Sequence, residues 1–233
     1  MRLRWITGLG LFILFFTLEV GAQEARLKNQ RDKVSYSIGM EIGRNFKRQG
    51  ADVNPELLAK GFQDAFSDQK ALLTDAEIQE VLTNFQKEMA AKQQEMVKKM
   101  GEKNKTEGEV FLAENKKKEG VITLPSGLQY KVVKAGAGKK PKATDTVTVH
   151  YQGTLTDGKE FDSSYRRGQP VTFPVNGVIP GWTEVLQLME EGAKWQVFIP
   201  TNLAYGDRGA GRDIGPHAAL IFEIELISIQ EQK

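Results

Sequence analysis

No cysteine occurs in the 233 residues of the chain. Its absence excludes a disulfide framework, a lipid-bearing N-terminal cysteine and cysteine-rich zinc sites. Histidine is nearly absent too: His150 and His217 stand far apart, without clustered acids, so no metal and no cofactor is expected. An excess of one charge is also missing. Thirty-two basic and 30 acidic residues interleave to a net charge of +2, which leaves no concentrated basic element for a phosphate backbone and no expected nucleic-acid partner. Phosphate loops fail on spacing. The stretch "AGAGKKP" (135–141) has no Ser or Thr after its lysine, and "GDRGAGRDIGP" is not a Gly-x-Gly-x-x-Gly opening a helix.

Long hydrophobic runs are lacking except at the start. Arg2 and Arg4 precede an apolar stretch from Trp5 to about Leu18, and the small pair Gly21-Ala22 follows. This is the layout of an export signal over residues 1–22, cut after Ala22; the alternative is an uncleaved N-terminal anchor, for which the run is short. The mature chain is expected outside the cytoplasm, in the periplasm first and at the outer membrane or cell surface second.

What is present divides in two by periodicity. Val34, Ile38, Ile42 and Phe46 recur every four residues on a helix stopped at Gly50. Asn54 and Pro55 read as N-cap and first residue of a second helix that buries Leu57, Leu58, Phe62 and Phe66. Thr74 and Glu77 form a capping box, and the pattern then runs on with no proline until Pro125. Residues 23–74 are therefore read as an N-terminal helical module and 75–118 as one long connecting helix. Ile78, Val81, Leu82, Phe85, Met89, Met96 and Met100 make a stripe on its first half. That stripe packs either within the chain or, as preferred here, against a second copy, because so few helices form a meagre core alone. The second half, "GEKNKTEGE", reads as polar all round, either a solvent-crossing spacer between domains or an only partly stable helix, with Gly101 and Gly108 marking where it could bend. Asn104-Lys105-Thr106 matches a glycosylation acceptor on paper only, and Lys116 to Lys118 suit the negative end of the helix.

Beyond Pro125 the period changes to two. Val147, Val149, Tyr151 and Leu155 alternate with polar neighbours, as do Trp195, Val197 and Ile199, then Leu220, Phe222, Ile224 and Leu226. "GWTEVLQLM" is the one helical pattern among them, so residues 119–233 read as α+β, an antiparallel sheet wrapped on one short helix. The hairpin "VHYQGTLTDGKEFDSS" turns at Asp157-Gly158 and ends on Phe161-Asp162, an acid amid aromatic surface with no second acid to work with.

The order of "VHYQGTLTDGKEFDSS", "VIPGW", "AYG" and "GPHAALIFEIELI" resembles the FKBP-type peptidyl-prolyl cis-trans isomerase domain. The helical half with "SYSIGMEIGRNF" is similar to the dimerisation module of the Mip-like (macrophage infectivity potentiator) isomerases of Gram-negative bacteria. The resemblance implies catalytic roles for Asp162 and Tyr205 and a substrate pocket of Tyr151, Phe161, Arg167, Phe173, Val178, Ile179, Trp182, Ile214 and Phe222, with Trp182 as floor, the Ile179 N–H as a contact and Arg167 paired with Asp162. Val171, Ala210 and Asp213 depart from the family pattern. It further implies rotation about X–Pro bonds of exported, incompletely folded polypeptides, binding of macrolide inhibitors, and a homodimer formed through the N-terminal helices. A second function, a holding chaperone or peptide-binding protein that uses the same cleft, stands beside the enzyme.

Overall fold

The computed structural model describes residues 27–230, which divide into two compact units, one ending at Lys70 and the other starting at Ala71. The expected export signal lies outside the described residues. In the first unit, α1 (Gln30–Gln49) is capped by the Asn29 side chain, which accepts from the Asp32 N–H at 2.9 Å, and it ends where Gly50 takes φ +63°. Only a residue without a β-carbon adopts that left-handed turn freely. In α2 (Pro55–Phe66) the Asn54 side chain accepts from the N–H groups of Glu56 and Leu57, and proline occupies the first turn, as the sequence reading has it.

The expected burial along α2 is not found within the chain. Leu57 is 63% exposed, Phe62 69% and Phe66 74%, and no residue of α1 or α2 is buried. Phe62 and Phe66 stack on each other at 5.6 Å, one turn apart. Two short helices enclose too little volume for a core of their own.

The second unit opens with α3 (Asp75–Asn115), one uninterrupted helix of 41 residues begun by the Thr74/Glu77 capping box. At about 1.5 Å per residue it is roughly 60 Å long. The reading of its second half as a polar spacer with two bend points is overturned: Gly101 and Gly108 are buried, and the helix continues through both. Its C-terminal turns lie on the sheet. Phe111 meets Phe198 at 5.9 Å, Asn115 Nδ2 donates to Gln129 Oε1, and Gln129 Nε2 donates to the Leu112 carbonyl. Period-counting missed this face because its members are Gly, Asn, Gly, Phe and Asn.

Seven antiparallel strands follow: β1 (Val121–Thr123), β2 (Gln129–Lys134), β3 (Thr146–Leu155), β4 (Glu160–Ser163), β5 (Val171–Pro174), β6 (Lys194–Ile199) and β7 (Leu220–Gln230). Their order is β1-β2-β6-β7-β3-β4, with β5 on the remaining stretch of β3. One sheet face carries Val149, Leu220, Ile224, Leu226, Val197 and Ile199, all fully buried with Val185 and Leu186 of the short helix α4 (Pro180–Leu186). Full burial of such a side chain contributes about 1.5–3 kcal/mol, so this face dominates the stability of the unit.

Register sets the geometry of the site. Val197 pairs with Phe222, Phe222 with Gly153, and Gly153 with Asp162, a single row across four strands. A Cβ on Gly153 would lie 2.6 Å from the Phe161 ring and 2.8 Å from that of Phe222. The glycine leaves room for those rings. Gly153→Ala is expected to lower stability by about 1–3 kcal/mol through overpacking, read as a reduced urea midpoint with unchanged m-value.

Candidate active site

A cleft of about 450 Å³ opens where the β3–β4 hairpin, the β5-to-α4 segment and the connection from β6 to β7 converge. Tyr151, Phe161, Asp162, Phe173, Val178, Ile179, Trp182, Tyr205 and Phe222 line it, joined by Val171 and Gly177. Gly177 carries no side-chain signal in the sequence, and Val171 enters because β5 pairs with β3 opposite Val149. Two residues expected in the pocket stand outside this lining. Ile214 is buried beside it and exchanges backbone bonds with Ala210. Arg167 lies behind Asp162.

Trp182 comes from the first turn of α4, started by Pro180 and tied down by Thr183, whose hydroxyl donates to the Val175 carbonyl at 2.8 Å. Its ring centroid is 5.3 Å from Tyr151 and 5.1 Å from Phe222, near-perpendicular in both cases, with Phe173 at 5.5 Å. Phe161 meets Phe222 at 5.5 Å and 85°. Edge-to-face pairs add about 0.5–1.5 kcal/mol each beyond the area they bury, enough to fix the rings relative to one another. The indole N–H of Trp182 is buried with no protein acceptor among the described residues.

Polar groups occupy the rim. Tyr151 donates its hydroxyl to Asp162 Oδ2, Arg167 donates to Asp162 Oδ1 and, at 2.8 Å, to the Tyr151 hydroxyl, and the Ser163 N–H adds a bond to the carboxylate at 2.8 Å. Ser164, fully buried, holds the Tyr151 backbone: its Oγ accepts from the Tyr151 N–H at 2.7 Å and lies 3.0 Å from His150 Nδ1. Sequence reasoning missed this serine, whose signal is its place directly after the hairpin. Partial burial pushes the Asp162 carboxyl up, but the bonds from Tyr151 and Arg167, the Arg167 charge and the Ser163 N–H together hold it below the usual carboxylate range. Burial pushes the Tyr151 hydroxyl up, and its bond to Asp162 adds to this. Tyr205 is likewise raised, by burial and then by the Asp162 charge.

Besides the Trp182 indole N–H, two donors of cleft-lining residues remain free. The Tyr205 hydroxyl and the Ile179 N–H have no protein acceptor among the described residues. Asp213 pairs with Lys159 at 2.7 Å and ties the hairpin tip to the loop after β6. The array offers fixed dipoles and aromatic surface. Among the described residues no cluster of His, Cys, Asp or Glu could hold a metal ion.

Comparison with known proteins agrees along nearly the whole chain. Residues 31–132 match the family model described as the domain amino terminal to FKBP-type peptidyl-prolyl isomerase, and residues 137–227 match FKBP-type peptidyl-prolyl cis-trans isomerase. The outer membrane protein MIP of Legionella longbeachae is 48% identical over 231 residues, covering 99% of each chain. The peptidyl-prolyl cis-trans isomerase Mip of Coxiella burnetii is 44% identical over 206 residues, 88% of this chain and 90% of the relative. The crystal structure of FkpA from Escherichia coli superposes with TM-score 0.70 at 39% identity, over 88% of this chain and 99% of that one.

A pH dependence follows from the rim. The folded-state value of Asp162 is depressed, so its contribution is fully present above the unfolded value of about 3.9 and is lost as pH falls through the folded value. Turnover is expected to be level from about pH 8 down to about pH 5. Arg167→Leu removes bonds and charge from the carboxylate, so the acid limb of the turnover profile moves to higher pH. At neutral pH the same variant loses about two- to fivefold, the range of a half-exposed pair.

Proposed function

The chain belongs to the FKBP-type peptidyl-prolyl cis-trans isomerases, and from that membership we propose that its aromatic cleft receives X–Pro segments of exported, incompletely folded polypeptides. The observation that carries this reading is the aromatic floor of Trp182, Tyr151, Phe173 and Phe222 beneath a rim whose carboxylate is already committed to protein donors.

Rotation about the X–Pro amide meets a barrier of about 18–20 kcal/mol from C–N double-bond character, and no bond has to break. An environment that prefers the twisted amide to the planar one is sufficient, at tenfold in rate for each ~1.4 kcal/mol of preference. Water stabilises the polar planar form, and the ring-lined cleft replaces that water with hydrocarbon. Asp162 keeps Tyr151 and Arg167 in place and sets a negative field beside the substrate carbonyl. It does not relay a proton. Tyr205 and the Ile179 N–H hold the peptide carbonyls on either side of the prolyl ring, which rests on Trp182. Macrolide inhibitors of the family would occupy the same surface.

The exposed apolar sides of α1, α2 and the first half of α3 support a homodimer. Ile38 and Phe62 in the first unit, and Val81 and Leu82 in the second, are each about half exposed or more, and large apolar side chains left open in this way mark association surfaces. For location, a relative carries the name outer membrane protein, and among the described residues no helix is long and apolar enough to cross a membrane. A periplasmic place, with an export signal removed after Ala22, is the reading proposed here.

Isomerisation of a proline peptide, followed in full-length protein, tests the site. Asp162→Ala and Tyr205→Phe are each expected to lower kcat/KM by about three- to thirtyfold, the range of one or two hydrogen bonds, with circular dichroism unchanged. Full activity in both folded variants would remove them from the mechanism. Phe62→Glu is expected to shift sedimentation from dimer to monomer while turnover of a short peptide stays within about twofold.

A further inference from the structure

Gly101, Asn104 and Gly108 lie three and four residues apart, on one face of α3. A Cβ on Gly101 would stand 3.1 Å from His217 Cδ2 and 3.3 Å from Pro216 Cβ, and one on Gly108 would stand 3.0 Å from Ala219 Cβ. The helix backbone therefore lies directly on the 215–219 segment. Between the two glycines, Asn104 Nδ2 donates to the Pro216 carbonyl at 2.8 Å. The facing residue, Gly215, also has no room for a side chain: its Cβ would fall 2.8 Å from the Asn104 amide nitrogen and 2.8 Å from the Met100 sulfur.

The segment held in this way leads to the cleft by a short route. The His217 N–H donates to the Gly206 carbonyl at 2.8 Å, and Gly206 follows Tyr205 in the chain. His217 holds φ +57°, a left-handed backbone that is strained for a residue with a β-carbon and persists where the surroundings determine it. In the other direction, Ala219 runs into β7 three residues before Phe222. Tyr205 itself is 41% exposed, and its hydroxyl has no protein partner among the described residues. No hydrogen bond among the described residues fixes that hydroxyl, so its position depends on packing and on the backbone behind it.

We propose that Asn104 is a positioning residue of the isomerase: by holding the Pro216 carbonyl, with Gly101 and Gly108 allowing the approach, it fixes the His217–Gly206 bond and so the place of the Tyr205 hydroxyl over the cleft. The inference rests on the reading that Tyr205 contacts the substrate. It makes the second half of α3 a working part of the catalytic unit. The contact is local and uses no charge, so it does not depend on ionic strength.

The full-length chain carries the test, with Asn104→Ala, Tyr205→Phe and the double variant assayed on one proline peptide. Asn104→Ala is expected to lower kcat/KM by about three- to tenfold, the range of one hydrogen bond, and to speed deuterium exchange at the His217 amide while the amides of β7 keep their protection. If Asn104 acts through Tyr205, the double variant falls no further than Tyr205→Phe alone, whereas independent effects multiply. Gly101→Ala, which favours the helix but crowds His217, is expected to reproduce the faster exchange and the slower turnover without removing a polar group. Unchanged turnover in Asn104→Ala, or losses that multiply, overturns the positioning role while leaving Tyr205 in the site. Unchanged turnover in Tyr205→Phe alone sinks both readings, and it does so at the substrate contact.

Discussion

A missing β-carbon at Gly153 governs the catalytic unit. The central strand β3 is flanked by β7 and β4, and at this row its neighbours are Phe222 and Asp162. Any larger residue would thrust its side chain into the space where the Phe161 and Phe222 rings meet edge to face. Phe222, with Tyr151 two residues back along β3 and with Phe173, closes around Trp182. A one-residue slip of register would turn Tyr151 and Phe222 to the other face, so the same pairings that stabilise the sheet also hold the cleft in being. Core packing and site geometry are one property here.

The polar rim is arranged around a different need. A carboxylate beside aromatic rings invites a role in proton transfer, yet its oxygens are met by Tyr151, Arg167 and the Ser163 N–H, and its affinity for protons is lowered as a result. A group already deprotonated and fully engaged at neutral pH makes a poor acid and a weak base. Rotation about an amide needs neither. What Asp162 supplies is rigidity: Tyr151 cannot rotate without breaking bonds at its hydroxyl, while Ser164 grips its backbone from the opposite end. The Tyr205 hydroxyl and the Ile179 N–H stay unengaged.

Much of this was legible in the sequence, for reasons that can be named. Caps at Asn54 and Thr74 and the stop at Gly50 are local events, decided by one side chain and one backbone conformation, and they stand where they were read. The strands showed because one face is buried and the other is not, which leaves period-two alternation. The pocket residues came from a family motif, since no periodicity distinguishes Phe161 as a wall from Phe198 as a packing partner of α3. The second half of α3 was hidden. Its buried face consists of glycine and asparagine, residues that hydrophobic patterns score as empty. The α2 face erred the opposite way: Phe62 and Phe66 read as buried because large apolar residues usually are, but within the chain they have no core to enter.

The two halves of α3 thus show how the partner selects the side chain. The first half bears Ile78, Val81 and Leu82, large side chains that stay exposed among the described residues. Where the second half meets the 215–219 segment, Pro216, His217 and Ala219 stand 3.0–3.3 Å from where a β-carbon on the helix would be, and only small residues let a helix approach so closely. Gly101 and Gly108 each weaken the helix by about 1 kcal/mol relative to alanine, so together they cost about 2 kcal/mol that alanines would restore at once. Contact with Pro216, His217 and Ala219 must return at least that much for the folded arrangement to prevail. Part of it comes from the Asn104 bond and the ring of Phe111 against Phe198. A helix that gives up its own propensity at two buried positions, while remaining unbroken through both, is shaped for its neighbour.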